Sequence, residues 1–259
     1  MSSANASIWV VIPAYNEAAT IREVTQRALA MLPRVVVVDD GSVDGTRSAL
    51  EGLNADVLRN ETNCGKGASI VRGCRHALAR GAAAVITLDA DGQHRPEDIP
   101  LLIDAARQRP HRIVIAARTL DTGAAPKARR CANKVGDFCI GWAAGHRIVD
   151  SQSGFRLYPA ELLATVHPER DGVSGFVFES EILIRGAAAG FLTTAVAVPA
   201  IYPQAARPSH FRPVRDILAI GRMIAWQLLC KGMHPAGLWR SLGGGATKSA
   251  TYRASRLGR

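Results

Sequence analysis

Residues 85–94 read Val85-Ile86-Thr87-Leu88-Asp89-Ala90-Asp91-Gly92-Gln93-His94, an apolar and β-branched run that passes without a break into two aspartates, a glycine and an amide. A short continuous apolar run of this kind fits a strand covered on both faces, as in a parallel sheet between helix layers. Polar residues that follow directly on such a strand stand at its carboxyl end, where open α/β sheets form their ligand crevice. The same order occurs twice upstream. Segment 8–12 runs into Pro13-Ala14-Tyr15-Asn16-Glu17, and segment 35–38 into Asp39-Asp40-Gly41-Ser42. Strand-like runs also lie at 56–58 and 113–116, and 18–31, 46–53, 68–80 and 96–108 carry apolar residues at helical spacing. Strands alternating with helices predict a doubly wound α/β domain with a mostly parallel sheet, its three polar strand ends lining one cleft.

Past residue 117 the spacing predicts a loop at 121–125, a helix at 127–144, a short strand at 154–158, a helix at 177–189 and a strand at 193–198. No Pro-, Gly- or Ser-rich linker interrupts the chain before residue 199, so 1–212 is expected to form one domain. An amphipathic basic helical segment at 213–242 and a small, polar, basic tail at 243–259, expected to be disordered, complete the organisation.

The formal charge of +10 is unevenly spread. From residue 203 onward there are ten Lys or Arg against Asp216 alone, which leaves the first 202 residues close to neutral. Such an arm fits a phosphorylated ligand, an anionic lipid or a nucleic acid, and no aromatic-interleaved module supports the last. In segment 214–229, Ile217, Ile220, Ile224 and Leu228 share one side, so it either packs on the domain or lies in a membrane interface with Trp226, Trp239 and the flanking arginines. Arg222 interrupts it, and it falls short of the ~20 apolar residues of a span. Five cysteines, odd in number and without a CxxC pair, argue against a disulfide framework and a zinc site. With no apolar signal core before the first strand, a reducing cytoplasmic setting is expected, peripheral on the cytosolic membrane face.

Asp89 and Asp91 at a strand end need a compensating cation, and hard oxygen ligands select Mg²⁺ or Mn²⁺, with Gln93 able to add a carbonyl oxygen. Plain turn chemistry also accounts for an aspartate pair. A calcium loop does not fit, because the glycine comes too early and the twelfth position is Pro100. A phosphatase nucleophile would follow the first strand and precede a threonine. The run Asn63-Cys64-Gly65-Lys66-Gly67 lacks both the Gly-Lys-Ser/Thr ending of a P-loop and the third glycine of a dinucleotide fingerprint; it reads as the start of a helix, with Lys66 placed to approach a nucleotide.

Taken in order, residues 12–17, 37–46, 63–67 and 89–94 resemble the motifs of the family-two glycosyltransferases. Asp150-Ser151-Gln152-Ser153-Gly154-Phe155-Arg156, Gly175-Phe176 and Glu181-Ile182-Leu183 extend the resemblance toward the dolichyl-phosphate mannose synthase and polyprenyl-phosphate glycosyltransferase branch, over about residues 8–220. The resemblance implies a GT-A fold, a GDP-mannose or UDP-hexose donor and inversion at the anomeric carbon. It implies that Pro13, Tyr15, Glu17 and Asp40 hold base and ribose, that Asp89, Ala90, Asp91 and Gln93 hold metal and diphosphate, and that Arg118, Arg207 and Arg212 meet phosphates. A lipid-phosphate acceptor needs no strong base; a hydroxyl acceptor on a glycan or lipid does, and Asp150, Glu179 and Glu181 are the candidates. A nucleotide-sugar binder without turnover is the non-enzymatic alternative.

Overall fold

The computed structural model describes residues 7–118, 127–166, 177–199, 201, 213–242 and 251–252. Strand β1 (Ile8–Ala14) is buried at every position, as its unbroken apolar sequence requires when strands flank it on both sides and helices cover both faces. Helix α1 (Ile21–Met31) leads to β2 (Val35–Asp39), and a single helical turn, α2 (Thr46–Ala49), leads to β3 (Asp56–Arg59). Helix α3 (Lys66–Ala79) then crosses to β4 (Ala84–Thr87) on the other side of β1. A 3₁₀ turn at Pro96–Asp98 opens α4 (Ile99–Gln108), followed by β5 (Ile113–Arg118), α5 (Lys127–Ala144), β6 (Arg156–Pro159), α6 (Ala160–Thr165), α7 (Val177–Ala188) and β7 (Thr193–Val198). Helices α8 (Pro213–Cys230) and α9 (Pro235–Ser241) and a two-residue strand, β8 (Thr251–Tyr252), complete the described chain.

The sheet order is β3-β2-β1-β4-β6-β5-β7-β8, parallel except for β6, which runs antiparallel between β4 and β5. The order reverses between β1 and β4, so the crevice opens at the carboxyl ends of these two strands. One face of the sheet packs against α1 and α4 through Ile21, Val24, Ala28, Ile99 and Leu102. The other packs against α3, α5 and α7 through Ile70, Ile140, Phe178 and Ile182. Helix α3 lies close on its strand: a Cβ at Gly73 would stand 2.4 Å from Val11 Cγ1, a gap that only glycine fits.

The strand expected at 154–158 lies at Arg156–Pro159, and nothing in that short segment announces its antiparallel direction. Thr251–Tyr252 joins the sheet edge beside β7, inside the tail expected to be disordered. Ile224 and Leu228 of α8 pack inward onto α5 and α7, the side the sequence marked as apolar. The opposite side of α8 is apolar as well, with Leu218, Trp226 and Leu229 each about two-thirds exposed (66%, 66% and 64%). Among the described residues no helix is long and apolar enough to cross a membrane.

Candidate active site

The wall formed by the loops after β1 and β2 is knitted from backbone N–H groups and short polar side chains. Asn16 adopts φ 56°, its N–H donates to Ser42 Oγ (2.9 Å), and its Oδ1 accepts from the Val43 N–H (2.9 Å). The Glu17 N–H donates to Thr46 Oγ1 at 2.8 Å. The loops after β1 and β2 are thereby fixed to each other, with Pro13 buried in β1 and Tyr15 and Glu17 half-buried at its end. Asp40 is buried and accepts from the Cys64 N–H at 2.9 Å, the Gly65 N–H at 2.8 Å and Asn60 Nδ2 at 2.6 Å. Both Asp40 oxygens are engaged, so its direct work is to shape the 63–65 loop. Gly41, at φ 74°, lets that loop approach: a Cβ there would stand 2.8 Å from the Thr62 carbonyl carbon.

At the end of β4, Asp89 Oδ1 lies 2.6 Å from Lys66 Nζ, and the same ammonium lies 2.9 Å from Glu179 Oε1 on α7. Burial works against the charges of Lys66 and Asp89, and their proximity outweighs it, raising the Lys66 pKa and lowering that of Asp89. Asp91 is pushed the other way, raised by burial and by the neighbouring Asp89 charge, while its Oδ1 accepts from the Gln93 N–H at 3.0 Å. Ala90 between them is buried. Among the described residues no three His, Cys, Asp or Glu close into a metal cage of protein ligands alone. A Mg²⁺-type site that borrows phosphate and water oxygens needs only one or two carboxylates, and the Asp89–Asp91 pair at the cleft, with Asp91 raised by burial and by its neighbour's charge, suits it.

The third part of the cleft is an ion pair at the end of β5. Asp150, at φ 52°, accepts from the Arg118 N–H (2.9 Å), Nε (2.9 Å) and Nη2 (2.8 Å). Burial raises the Asp150 pKa and these donors lower it further, for a net depression that makes Asp150 an anchor for Arg118 and a weak proton acceptor. Asp137 of α5 holds the loop below it, accepting from the Asp150 N–H (3.0 Å), the Ser151 N–H (2.7 Å) and Ser151 Oγ (2.6 Å). Arg156 is wholly buried and donates to the carbonyls of Ser153 (2.7 Å), Ser151 (2.6 Å) and Glu179 (2.6 Å), tying this loop to the start of α7. His94 is buried against Phe155, ring centroids 5.4 Å apart, and burial drives its pKa down to about 4, so it is neutral at neutral pH.

The cleft thus gathers Asp89, Asp91, Gln93, Arg118 and Asp150 from the residues singled out in the sequence, beside the wall formed by 13–17 and 40. Glu181 sits apart. It lies two residues, roughly 200°, around α7 from Glu179 and pairs with Arg185 at 2.7 Å. Arg207, Arg212 and Gly175-Phe176 lie outside the described residues. Sequence reasoning gave Lys66 no partner and passed over Asp137 altogether; their carboxylate and loop partners are joined to them only by the fold.

Comparison with known proteins follows the same outline. The glycosyl transferase family 2 model matches residues 9–163, more than half of the chain. An undecaprenyl-phosphate mannosyltransferase of Micrococcus luteus is 30% identical over 193 residues, covering 71% of this chain and 79% of that protein. A polyprenol monophosphomannose synthase of Mycolicibacterium smegmatis is 29% identical over 200 residues, covering 73% and 75%. Among solved structures, glucosyl-3-phosphoglycerate synthase from Mycobacterium tuberculosis, in complex with Mn²⁺, uridine diphosphate and phosphoglyceric acid, superposes with a TM-score of 0.61 at 22% identity, covering 88% of this chain and 79% of that one. That likeness establishes the GT-A fold. With a family match across all three strand ends of the cleft, the chain belongs to glycosyl transferase family 2 and is related to the polyprenyl-phosphate sugar transferases.

Proposed function

We propose that this protein transfers a hexose from a GDP or UDP sugar to a polyprenyl phosphate at a membrane surface, with inversion at the anomeric carbon and with Mg²⁺ or Mn²⁺. The observation that carries the choice of acceptor is the state of the cleft carboxylates. Asp150 is held by Arg118, Glu179 by Lys66 and Asp137 by the Ser151 loop, while Glu181 pairs with Arg185 away from them. A hydroxyl acceptor would need one of these groups as a base, whereas a phosphate oxygen arrives already anionic. The exposed apolar side of α8 supports an acceptor delivered from a lipid surface.

In this reading Pro13, Tyr15, Glu17 and the loop shaped by Asp40 bind base and ribose. A Mg²⁺ or Mn²⁺ held by Asp89, Asp91 and Gln93 would offset the charge that develops on the departing β-phosphate. Arg118, aimed by Asp150, presents fixed positive charge beside that position, which stabilises the transition state more than a mobile side chain can. Arg207 and Arg212 are assigned to acceptor or donor phosphates.

The test is nucleoside-diphosphate release from a panel of GDP and UDP sugars, with and without Mn²⁺ and polyprenyl phosphate, in the wild type and in Asp91→Ala. The proposal expects release that requires metal, lipid phosphate and Asp91. Release that is equally fast without lipid phosphate, or in Asp91→Ala, would refute it.

A further inference from the structure

Lys66 opens α3, and its ammonium reaches carboxylates on two other elements. It stands between Asp89 of the β4 end and Glu179 of α7, with about a fifth of its side chain exposed (22%). The Gly154 backbone lies against the Asp89 carboxylate, where a Cβ would stand 2.4 Å from Oδ2 and 2.6 Å from Oδ1. With the Gly154 backbone against the carboxylate, Lys66 already occupies Oδ1. A divalent ion needs an oxygen lone pair at about 2.0–2.1 Å for Mg²⁺, and at Oδ1 it would meet a second cation on the same atom. An ion arriving alone has to displace the Lys66 ammonium from Asp89 while that ammonium stays beside Glu179, so the two cations are held close together. A nucleoside diphosphate changes that balance, since its oxygens complete the ion's coordination and offer the displaced ammonium new anions.

We infer that Lys66 is an internal counter-ion that keeps a divalent cation off Asp89 until a nucleoside diphosphate arrives, so that metal and nucleotide bind as a coupled pair. The inference rests on the transfer reading for the identity of the ligand. Coupling of this kind is reciprocal, so nucleotide tightens metal by the factor by which metal tightens nucleotide.

The test measures Mn²⁺ binding to the full chain from the electron paramagnetic resonance of free Mn²⁺, with no nucleotide, with UDP and with GDP, alongside calorimetric titration of each nucleotide. In the wild type, Mn²⁺ is expected to bind at least about tenfold more tightly with the matching nucleotide. Lys66→Met should bind nucleotide-free Mn²⁺ about tenfold more tightly than wild type and lose most of the nucleotide effect, and Lys66→Arg should restore the wild-type pattern. Lys66→Gln replaces Lys66→Met if the latter loses its thermal transition. Nucleotide-free Mn²⁺ affinity that is unchanged or weaker in these variants overturns the role of Lys66, as does wild-type Mn²⁺ binding indifferent to nucleotide. If neither UDP nor GDP binds with Mn²⁺, the transfer reading falls and this inference with it; binding with unchanged coupling counts against Lys66 alone.

Discussion

Gly154 is the seat of Asp89: its Cα faces the carboxylate so closely that an added methyl would stand 2.4 Å from Oδ2, while Thr87 Oγ1 donates to the Gly154 carbonyl at 2.7 Å and fixes the backbone there. The group that would yield in Gly154→Ala is the end of a short side chain, so Asp89 turns aside and the fold survives. The expected result is a loss of kcat/KM of at least about tenfold, roughly 1.4 kcal/mol, with a thermal midpoint near wild type. Gly73→Ala is the counterpart, since its methyl would meet Val11 inside the core; it should cost about 1–3 kcal/mol of stability in a denaturant titration.

Arg156 satisfies three buried carbonyls on two different elements. Arg156→Met strands them and should destabilise the protein by about 3 kcal/mol, read as a lowered denaturation midpoint. Lys keeps the charge but not the planar fork, so Arg156→Lys should recover less than half of the loss. Full recovery by Lys would show that charge alone matters there.

Glu181→Gln should leave transfer within about threefold of wild type, because a carboxylate that faces Arg185 outside the cleft has no part in a phosphate-acceptor reaction. Burial raises its carboxyl to about 7 while Arg185 at 2.7 Å opposes that shift. A hundredfold fall in kcat on Glu181→Gln would make it a base and revive a hydroxyl acceptor.

His146 is buried with Nε2 2.9 Å from Thr193 Oγ1, and burial lowers its pKa to about 4. The ordinary value is about 6.5, so the unfolded chain takes up this proton first as pH falls, and stability is lost between about pH 6.5 and 4. His146→Gln removes one such proton and should reduce the slope of stability against pH in that window by up to about 1.4 kcal/mol per unit. His94, also near 4 in the folded protein, keeps its own share of the slope.

The outer side of α8 and α9 exposes Leu218, Trp226, Leu229, Trp239 and Leu242, with exposed Arg222 and Arg240 among them. They are mounted on α5 by hydrogen bonds and close packing. Trp142 Nε1 donates to the Met233 carbonyl at 3.0 Å, Lys231 Nζ donates to the Ala143 carbonyl at 2.9 Å, and His234 fills the gaps left by Gly145 and Gly237. The full chain should co-sediment with vesicles of phosphatidylcholine and phosphatidylglycerol, less with phosphatidylcholine alone, and about tenfold less after Trp226→Ala with Trp239→Ala. A dimer disrupted by those changes, with no vesicle binding, would assign the surface to a second copy.

The three strand ends were legible because each strand and its polar residues are contiguous in sequence: the apolar run gives the element and the next residues give the cleft. Lys66 was not, since the glutamate it holds lies more than a hundred residues away and local spacing carries no sign of that meeting. Asp150 stands out as a candidate base, but the guanidinium that depresses it comes from the end of β5, so its character as an anchor belongs to tertiary structure. Asp137 reads from sequence as one polar residue in a helix. On α8 the inward stripe is visible at intervals of three and four, and of its second apolar side the sequence marks Trp226 but not Leu218 or Leu229, because a helix packed on one face is expected to be polar on the other.

The antiparallel strand β6 also bears on how the molecule is assembled. It lies in mid-sheet and joins β4 to β5, yet it is made after both, so the β3-β2-β1-β4 half and the β5 strand have no shared edge until residue 159 has been synthesised. Until then β4 presents an open, apolar border, the kind of template on which nascent chains stick to one another. The keystone strand therefore sets a late, non-local step in folding, and shortened chains that end before it should be recovered as aggregates while chains that include it remain in solution.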